Sequence, residues 1–212
     1  MGVERSELAG AASVRGAGIP LRSERDHEHV TACPTLETER LIMRPFRESD
    51  LDAYTAVLQT AQVRAALHLP DDVGRERAWA GMAAWLGQWQ LRGTGQWALD
   101  ERATGAFVGR AGSHWPEQAD WPGTEIGWTL HPDHWGNGYA TEAGAAAIAH
   151  TFAHHDVDAV YSVILPDNAA SQAVAKRLGF TLYEERLLST FPEMPHGIWR
   201  LTRSDYRSLI RR

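Results

Sequence analysis

Between Glu125 and Glu142 the chain reads Glu-Ile-Gly-Trp-Thr-Leu-His-Pro-Asp-His-Trp-Gly-Asn-Gly-Tyr-Ala-Thr-Glu, a strand-like apolar stretch that passes through a glycine turn into an Ala-rich helix. Gly136 and Gly138 let the backbone take positive φ, so that successive N–H groups from about Trp135 to Ala140 point into one concavity. The first turn of the following helix adds four unpaired N–H donors and the positive end of the helix dipole. Such a turn suits an anion, a phosphate or pyrophosphate above all. A tight strand-to-helix turn without a ligand is the other reading of a bare Gly-x-Gly. Glu125, at the start of the strand, is a candidate general base or else an exposed strand-end carboxylate. Glu142 sits in the first helical turn, where the dipole accounts for it. Further on, Asn168 suits an N-cap and Gly179 a C-cap for a short helix whose Val174 and Leu178 face the core.

Other chemistries find less support. His131, His134, His150, His154 and His155 are the obvious metal set, but no HExxH or thiolate accompanies them, and no metal site is expected. Cys33 is the single cysteine, which excludes a disulfide framework and a multi-thiolate metal centre. A net charge of -6 argues against a protein that neutralises nucleic-acid phosphates and favours a cationic partner. No run of about 18 apolar residues marks a membrane span. The first 30 or so residues carry charges throughout instead of a hydrophobic signal region, so a cytoplasmic setting is expected.

The elements that must position these residues follow from periodicity. With 43% hydrophobic and 23% charged residues the chain is globular. Residues 1–34 show neither a strand nor a helix period and read as a flexible extension, leaving 35–212 as a single domain. Leu41-Ile42-Met43 predicts a strand stopped by Pro45, and Leu51, Tyr54, Val57 and Leu58 a helix. Trp79, Met82, Trp85, Leu86 and Trp89 predict a second helix, its Trp79, Trp85 and Trp89 mostly core. Strands are expected at Trp97–Leu99, Phe107–Gly109 and Ile126–Leu130. A helix over 139–154, a strand over 159–165, a helix over 169–178 and strands at about 180–190 and 197–202 complete the order. The segment from Gly112 to Gly123 is long for a hairpin turn and is a candidate lid over an acceptor. The fold class is α+β, a mixed, mostly antiparallel twisted sheet with helices on both faces.

The combination of Trp-Gly-Asn-Gly-Tyr-Ala-Thr-Glu-Ala, the preceding Glu-Ile-Gly-Trp, Asn168-x-x-Ser171 and Leu178-Gly179-Phe180 resembles the GNAT superfamily of N-acetyltransferases. Leu36-Glu-Thr-Glu-Arg-Leu-Ile-Met-Arg-Pro-Phe and Trp199-Arg-Leu-Thr-Arg-Ser-Asp-Tyr206 are similar to the branch of ribosomal-protein N-acetyltransferases typified by RimJ and RimL, so the likeness spans residues 35–206. It implies that acetyl-CoA is the cosubstrate, its pyrophosphate held by Trp135, Gly136, Asn137, Gly138, Tyr139, Ala140 and Thr141. The pantetheine arm is then expected along Trp128, Thr129 and Leu130, with Asn168 near the reactive sulfur. The Gln or Arg that often precedes the loop by three residues is Asp133 here, to which no side-chain role is given. Many members carry a Tyr acid where this chain has Ala175, and Ser171, one turn earlier, is the nearest hydroxyl.

The resemblance implies direct transfer of acetyl to a primary amine, with Glu125 as base and Ser171 beside the departing thiolate. The acceptor is a protein N-terminal α-amine first. The alternatives are an antibiotic, polyamine or amino-acid acceptor, or a non-catalytic CoA-binding sensor. A second copy of the chain, in a homodimer, is admitted as a partner.

Overall fold

The computed structural model describes residues 32–211, so the extension expected over 1–34 lies outside them except for its last three residues. One sheet is built from β1 (Leu36–Glu37), β2 (Leu41–Arg44), β3 (Gln96–Glu101), β4 (Phe107–His114), β5 (Glu125–Leu130), β6 (Ala159–Ile164), β7 (Thr181–Leu188) and β8 (Phe191–Thr202). Their spatial order is β1-β2-β3-β4-β5-β6-β8-β7, and neighbours are antiparallel except β5 and β6, which run parallel. The helices are α1 (Leu51–Gln59), α2 (Ala61–Leu67), α3 (Arg75–Arg92), α4 (Tyr139–His154), α5 (Ala169–Arg177) and α6 (Arg203–Leu209).

Strand alternation divides the core in two. Trp97 and Leu99 join Met43, Ile126, Val160 and Leu201 against α4 and α5, whereas Ala98 turns the other way and joins Tyr54, Val57, Val63 and Met82 of α1, α2 and α3. Helices thus cover both faces of a mixed, open sheet. The guanidinium of Arg203 fastens the back of α4, donating to the carbonyls of Phe152, His155 and Val157 at 2.7, 2.7 and 2.9 Å. A cation there satisfies carbonyls that a helix C-terminus leaves unpaired.

Several expectations need correction. Trp79 is 54% exposed, because the buried stripe of α3 runs through Ala78, Met82 and Trp89 and leaves Trp79 one residue, about 100°, off the core; Trp85 is only partly buried. Strand β4 extends to His114 where Gly109 was expected to end it, since Gly109 and Gly112 sit in the ladder as close-approach positions. A Cβ on Gly112 would meet Gly95 O and Gln96 Cα. β8 begins at Phe191 despite Pro192 and Pro195, which lie before its pairing with β6 starts at Gly197 and cost that ladder nothing. The segment after β4 is fastened at both ends: Arg92 donates to Trp115 O (2.9 Å), and Asp120 accepts from the Ser189 amide (2.5 Å) and hydroxyl (2.9 Å).

Candidate active site

The parallel pair β5 and β6 is joined at one register position, Glu125 opposite Tyr161, where the Tyr161 amide donates to Thr124 O at 2.9 Å. One step further, the amide of Val163 donates to the Glu125 carboxylate (3.5 Å) in place of a backbone carbonyl. Beyond it the strands share no further register pair among the described residues, and the sheet opens into a seam. A cleft of about 1530 Å³ runs through that seam and is lined by Glu125, Trp128–Leu130, Trp135–Gly138, Ala140, Thr141, Asn168 and Ser171. The residues singled out in the sequence therefore converge, with one departure. Tyr139 turns its ring into the core, 7% exposed, and its hydroxyl donates to Glu101, so only its backbone belongs to the loop.

At the loop, Gly136 and Gly138 have φ of 79° and 80°, and Gly138 is the N-cap of α4. Trp135 ties the loop to the end of β5, its indole donating to Leu130 O at 2.9 Å. Asp133 faces away, 83% exposed beside His131. The cation at the loop is Arg40: it donates to Asn137 O (2.7 Å) and forks onto Glu142 (2.7 Å), which also accepts from the Thr38 hydroxyl (2.5 Å) and the Arg40 amide (2.8 Å). Burial works against ionisation of Glu142, but the Thr38 and Arg40 hydrogen bonds prevail and hold its pKa below the ordinary value. Dipole compensation alone had been the sequence account of Glu142. The partners show it fastening the β1–β2 turn to the glycine loop.

Asn168 caps α5, its side chain accepting from the Ser171 amide at 3.0 Å, and Ala175 is fully buried. The Ser171 hydroxyl lines the cleft with no hydrogen-bond partner among the described residues. The Glu125 carboxylate, its side chain 14% exposed, lies 3.3 Å from His114 Nδ1. His114 in turn stands edge-on to Trp85 at 4.9 Å and to Trp121 at 6.0 Å. His196, 4% exposed, stacks on Phe191 and donates from Nδ1 to Met194 O (3.0 Å), leaving Nε2 as the basic nitrogen. Burial, opposed by the Met194 carbonyl, depresses its pKa below the ordinary histidine value. His196 and Arg110, both on the cleft wall, fall outside the strands expected from the sequence, one of which ends at Gly109 and another begins at 197.

A glycine loop at a helix N-terminus beside a splayed parallel strand pair is the geometry on which the comparisons bear. The family model for the GNAT acetyltransferase domain matches residues 40–181, two thirds of the chain. The chain belongs to the GNAT acetyltransferase family. The acetyltransferase is 28% identical over 147 residues to the uncharacterized N-acetyltransferase YoaA of Bacillus subtilis, covering 69% of this chain and 82% of that one. Among solved structures it is similar to an acetyltransferase from Agrobacterium tumefaciens, with TM-score 0.70, 32% identity and coverage of 80% and 95% of the two chains. RimL, the ribosomal L7/L12 α-N-protein acetyltransferase solved with coenzyme A, shares the fold at TM-score 0.66 and 20% identity, over 80% of this chain and 98% of that one. The cosubstrate of the family is acetyl-CoA, and the cleft fits it. Among the described residues nothing stands within 4 Å of where a Cβ on Gly136 would be, so the loop is open to a phosphate, and the buried Thr129 hydroxyl on the strand below has no partner.

Among the described residues no group of three or more His, Cys, Asp or Glu is arranged to hold a metal. His150 stacks on His154 within α4, toward the end away from the glycine loop. No helix of the described residues is long and apolar enough to cross a membrane.

Proposed function

We propose that this acetyltransferase moves the acetyl group directly from acetyl-CoA to a neutral primary amine in the cytoplasm, residues 35–212 forming the catalytic unit. The observation that carries the reading is continuity: one cleft joins the glycine loop, the seam and Glu125. Acetyl-CoA supplies an activated thioester. The residues Trp135–Thr141 hold its pyrophosphate, Trp128–Leu130 and Asn168 its pantetheine end, and Arg40 keeps the loop in shape. The amine nitrogen bonds to the acetyl carbon as the carbon–sulfur bond breaks. The amine loses its proton to Glu125, directly or through water, and Ser171 hydrogen-bonds the departing sulfur. His114 holds the carboxylate in place, and the neutral Nε2 of His196 is a second acceptor for the proton.

Acceptor choice follows from the fraction of neutral amine. With a reference pKa near 7.8 an α-amine is about 14% neutral at pH 7, and a lysine near 10.4 about 0.04%. An α-amine needs little base catalysis, which favours a protein N-terminus first. A small amine is the second reading, favoured by the enclosure of the acceptor side between α2, α3 and Phe191.

The test is turnover at saturating substrates on peptides and small amines. Glu125→Gln and Ser171→Ala are each expected to lose about 100-fold to 10,000-fold in kcat. Near-normal turnover in both would overturn the assignment, and acetyl-CoA binding without turnover on any amine would favour a CoA sensor. If His196→Asn, and not Glu125→Gln, removes the acidic limb of the pH profile, the base is His196.

A further inference from the structure

The sheet contains two buried arginines that are treated in opposite ways. Arg44, 6% exposed, is clamped between two carboxylates, Asp50 at 2.7 Å and Asp100 at 2.5 Å. Burial alone would disfavour its charge, but the hydrogen bonds it donates to those two carboxylates raise its pKa above the usual arginine value. Arg110, 9% exposed, has only neutral partners: Nε donates to the Tyr54 hydroxyl at 3.1 Å and Nη1 to the Gln96 side-chain oxygen at 2.9 Å. Gln96 is itself fixed by donating to Gly112 O at 2.9 Å, so its oxygen is committed to Arg110. Nη2 makes no hydrogen bond, and no carboxylate pairs with Arg110 among the described residues. An arginine remains charged at any physiological pH, and a buried charge without a counter-ion is costly.

Arg110 lines the cleft on the wall that also carries Glu125. Strand pairing sets Arg110 opposite Thr129, Gly112 opposite Gly127 and His114 opposite Glu125, all on one face of the sheet. Arg110 is thus two residues, about 7 Å along the strand, from the Gly112–Gly127 pair that leaves a trough between it and Glu125. A second observation points the same way. The indole N–H groups of Trp85 and Trp121, which can only donate, are buried without an acceptor among the described residues, and both residues line the cleft. The Arg110 guanidinium sits 5.0 Å over the Trp85 ring, and Trp85 Nε1 and the Tyr54 hydroxyl converge near Gly81, 3.9 and 3.5 Å from the place of a Cβ there. This wall is a set of donors awaiting an acceptor.

We infer that the acceptor amine carries a carboxylate a few bonds from its nitrogen, and that Arg110 holds that carboxylate while Glu125 faces the amine. The inference rests on the amine-acetylation reading above and narrows its substrate class. A planar guanidinium with a free edge matches a carboxylate by charge-assisted hydrogen bonds, and Trp85, against which that guanidinium packs, brings a further donor beside it. The carboxylate can belong to a free amino acid or to the side chain of an acidic residue at a peptide N-terminus.

Matched pairs test it: an α-amino acid against its carboxamide, and C-terminally amidated tripeptides beginning with Asp against the same peptides beginning with Asn. The wild-type enzyme is expected to favour the carboxylate member of a pair at least tenfold in kcat/KM, the amino-acid or the tripeptide pair showing which source is used. Arg110→Gln, or Arg110→Lys if the first fails to fold, is expected to erase that preference through the acceptor KM while the KM for acetyl-CoA stays unchanged. Carboxamides used as well as acids by the wild-type enzyme, or a preference that survives both variants, would overturn the inference even though amine acetylation stood. If no amine turns over, the amine reading fails by itself, and the carboxylate site is then read by saturation-transfer NMR of the same pairs on CoA-saturated protein: selective binding of the acid, lost in the Arg110 variants, supports it, and equal binding rejects it.

Discussion

Gly138 is the residue on which the cosubstrate loop turns. Its φ of 80° is a conformation that side-chain-bearing residues rarely adopt, and a Cβ there would stand 3.4 Å from Arg40 Nη2. Gly138→Val is therefore expected both to strain the turn and to displace the arginine that supports it. Acetyl-CoA affinity should fall by more than tenfold, at least about 1.4 kcal/mol, measured by calorimetry on protein whose circular dichroism is unchanged. Unaltered affinity in such a folded variant would remove the loop from the binding site. Arg40 also illustrates what single positions hide: the cation missing at Asp133 is supplied from almost a hundred residues earlier in the chain, where Leu36-Glu-Thr-Glu-Arg gives no local sign of its target.

Helix α4 carries the loop at one end and a strained histidine near the other. Burial, with the charges of His154 and His155, pushes the His150 pKa down from 6.5 to about 4, and its Nδ1, beside the rings of Trp89 and Trp97, has no hydrogen-bond partner among the described residues. The unfolded chain then binds the extra proton between pH 6.5 and 4 and the folded one does not, so stability is whole above 6.5 and declines as pH falls toward 4. The loss is at most about 3 kcal/mol. Urea unfolding at several pH values should show this slope in the wild-type protein and a flatter one in His150→Leu; equal slopes would mean that the ring is protonated while folded. The span of α4 was legible residue for residue, and α3 was legible as a helix although Trp79 and Trp85 are less buried than expected, because each has length enough for a helical stripe to repeat. Helices α2 and α6 were not: Ala-Gln-Val-Arg-Ala-Ala-Leu buries only Val63, and α6 buries nothing fully, so neither writes a stripe. The glycine loop, Glu125, Asn168 and Ser171 could be named as candidates from the sequence because motif and spacing are local. Arg110, His114 and His196 acquire meaning only from β4 lying against β5 and from β8 folding back toward α2, contacts that no window of sequence contains.

The whole molecule is two half-sheets that share one register pair between β5 and β6 and are otherwise parted by the cleft. A ligand that touches both halves stabilises their union, whereas the net charge of -6 acts only at long range and is outranked inside the cleft by Arg110. At about 100 times its Kd, acetyl-CoA should add about 2.7 kcal/mol, which for a chain of this size raises Tm by about 5–10 °C. A melt with and without the ligand checks it, and Gly138→Val should abolish most of the rise. The seam has a further consequence for how the protein keeps company with its own copies. Past Glu125, β5 and β6 each turn an unpaired flank toward the gap, so the molecule possesses a strand edge in the middle of its sheet as well as at β1 and β7. An unpaired edge is a template for any extended chain that reaches it. With acetyl-CoA in the seam, as proposed above, the cosubstrate is a plug as well as a reagent, and the empty enzyme should scatter light first on warming.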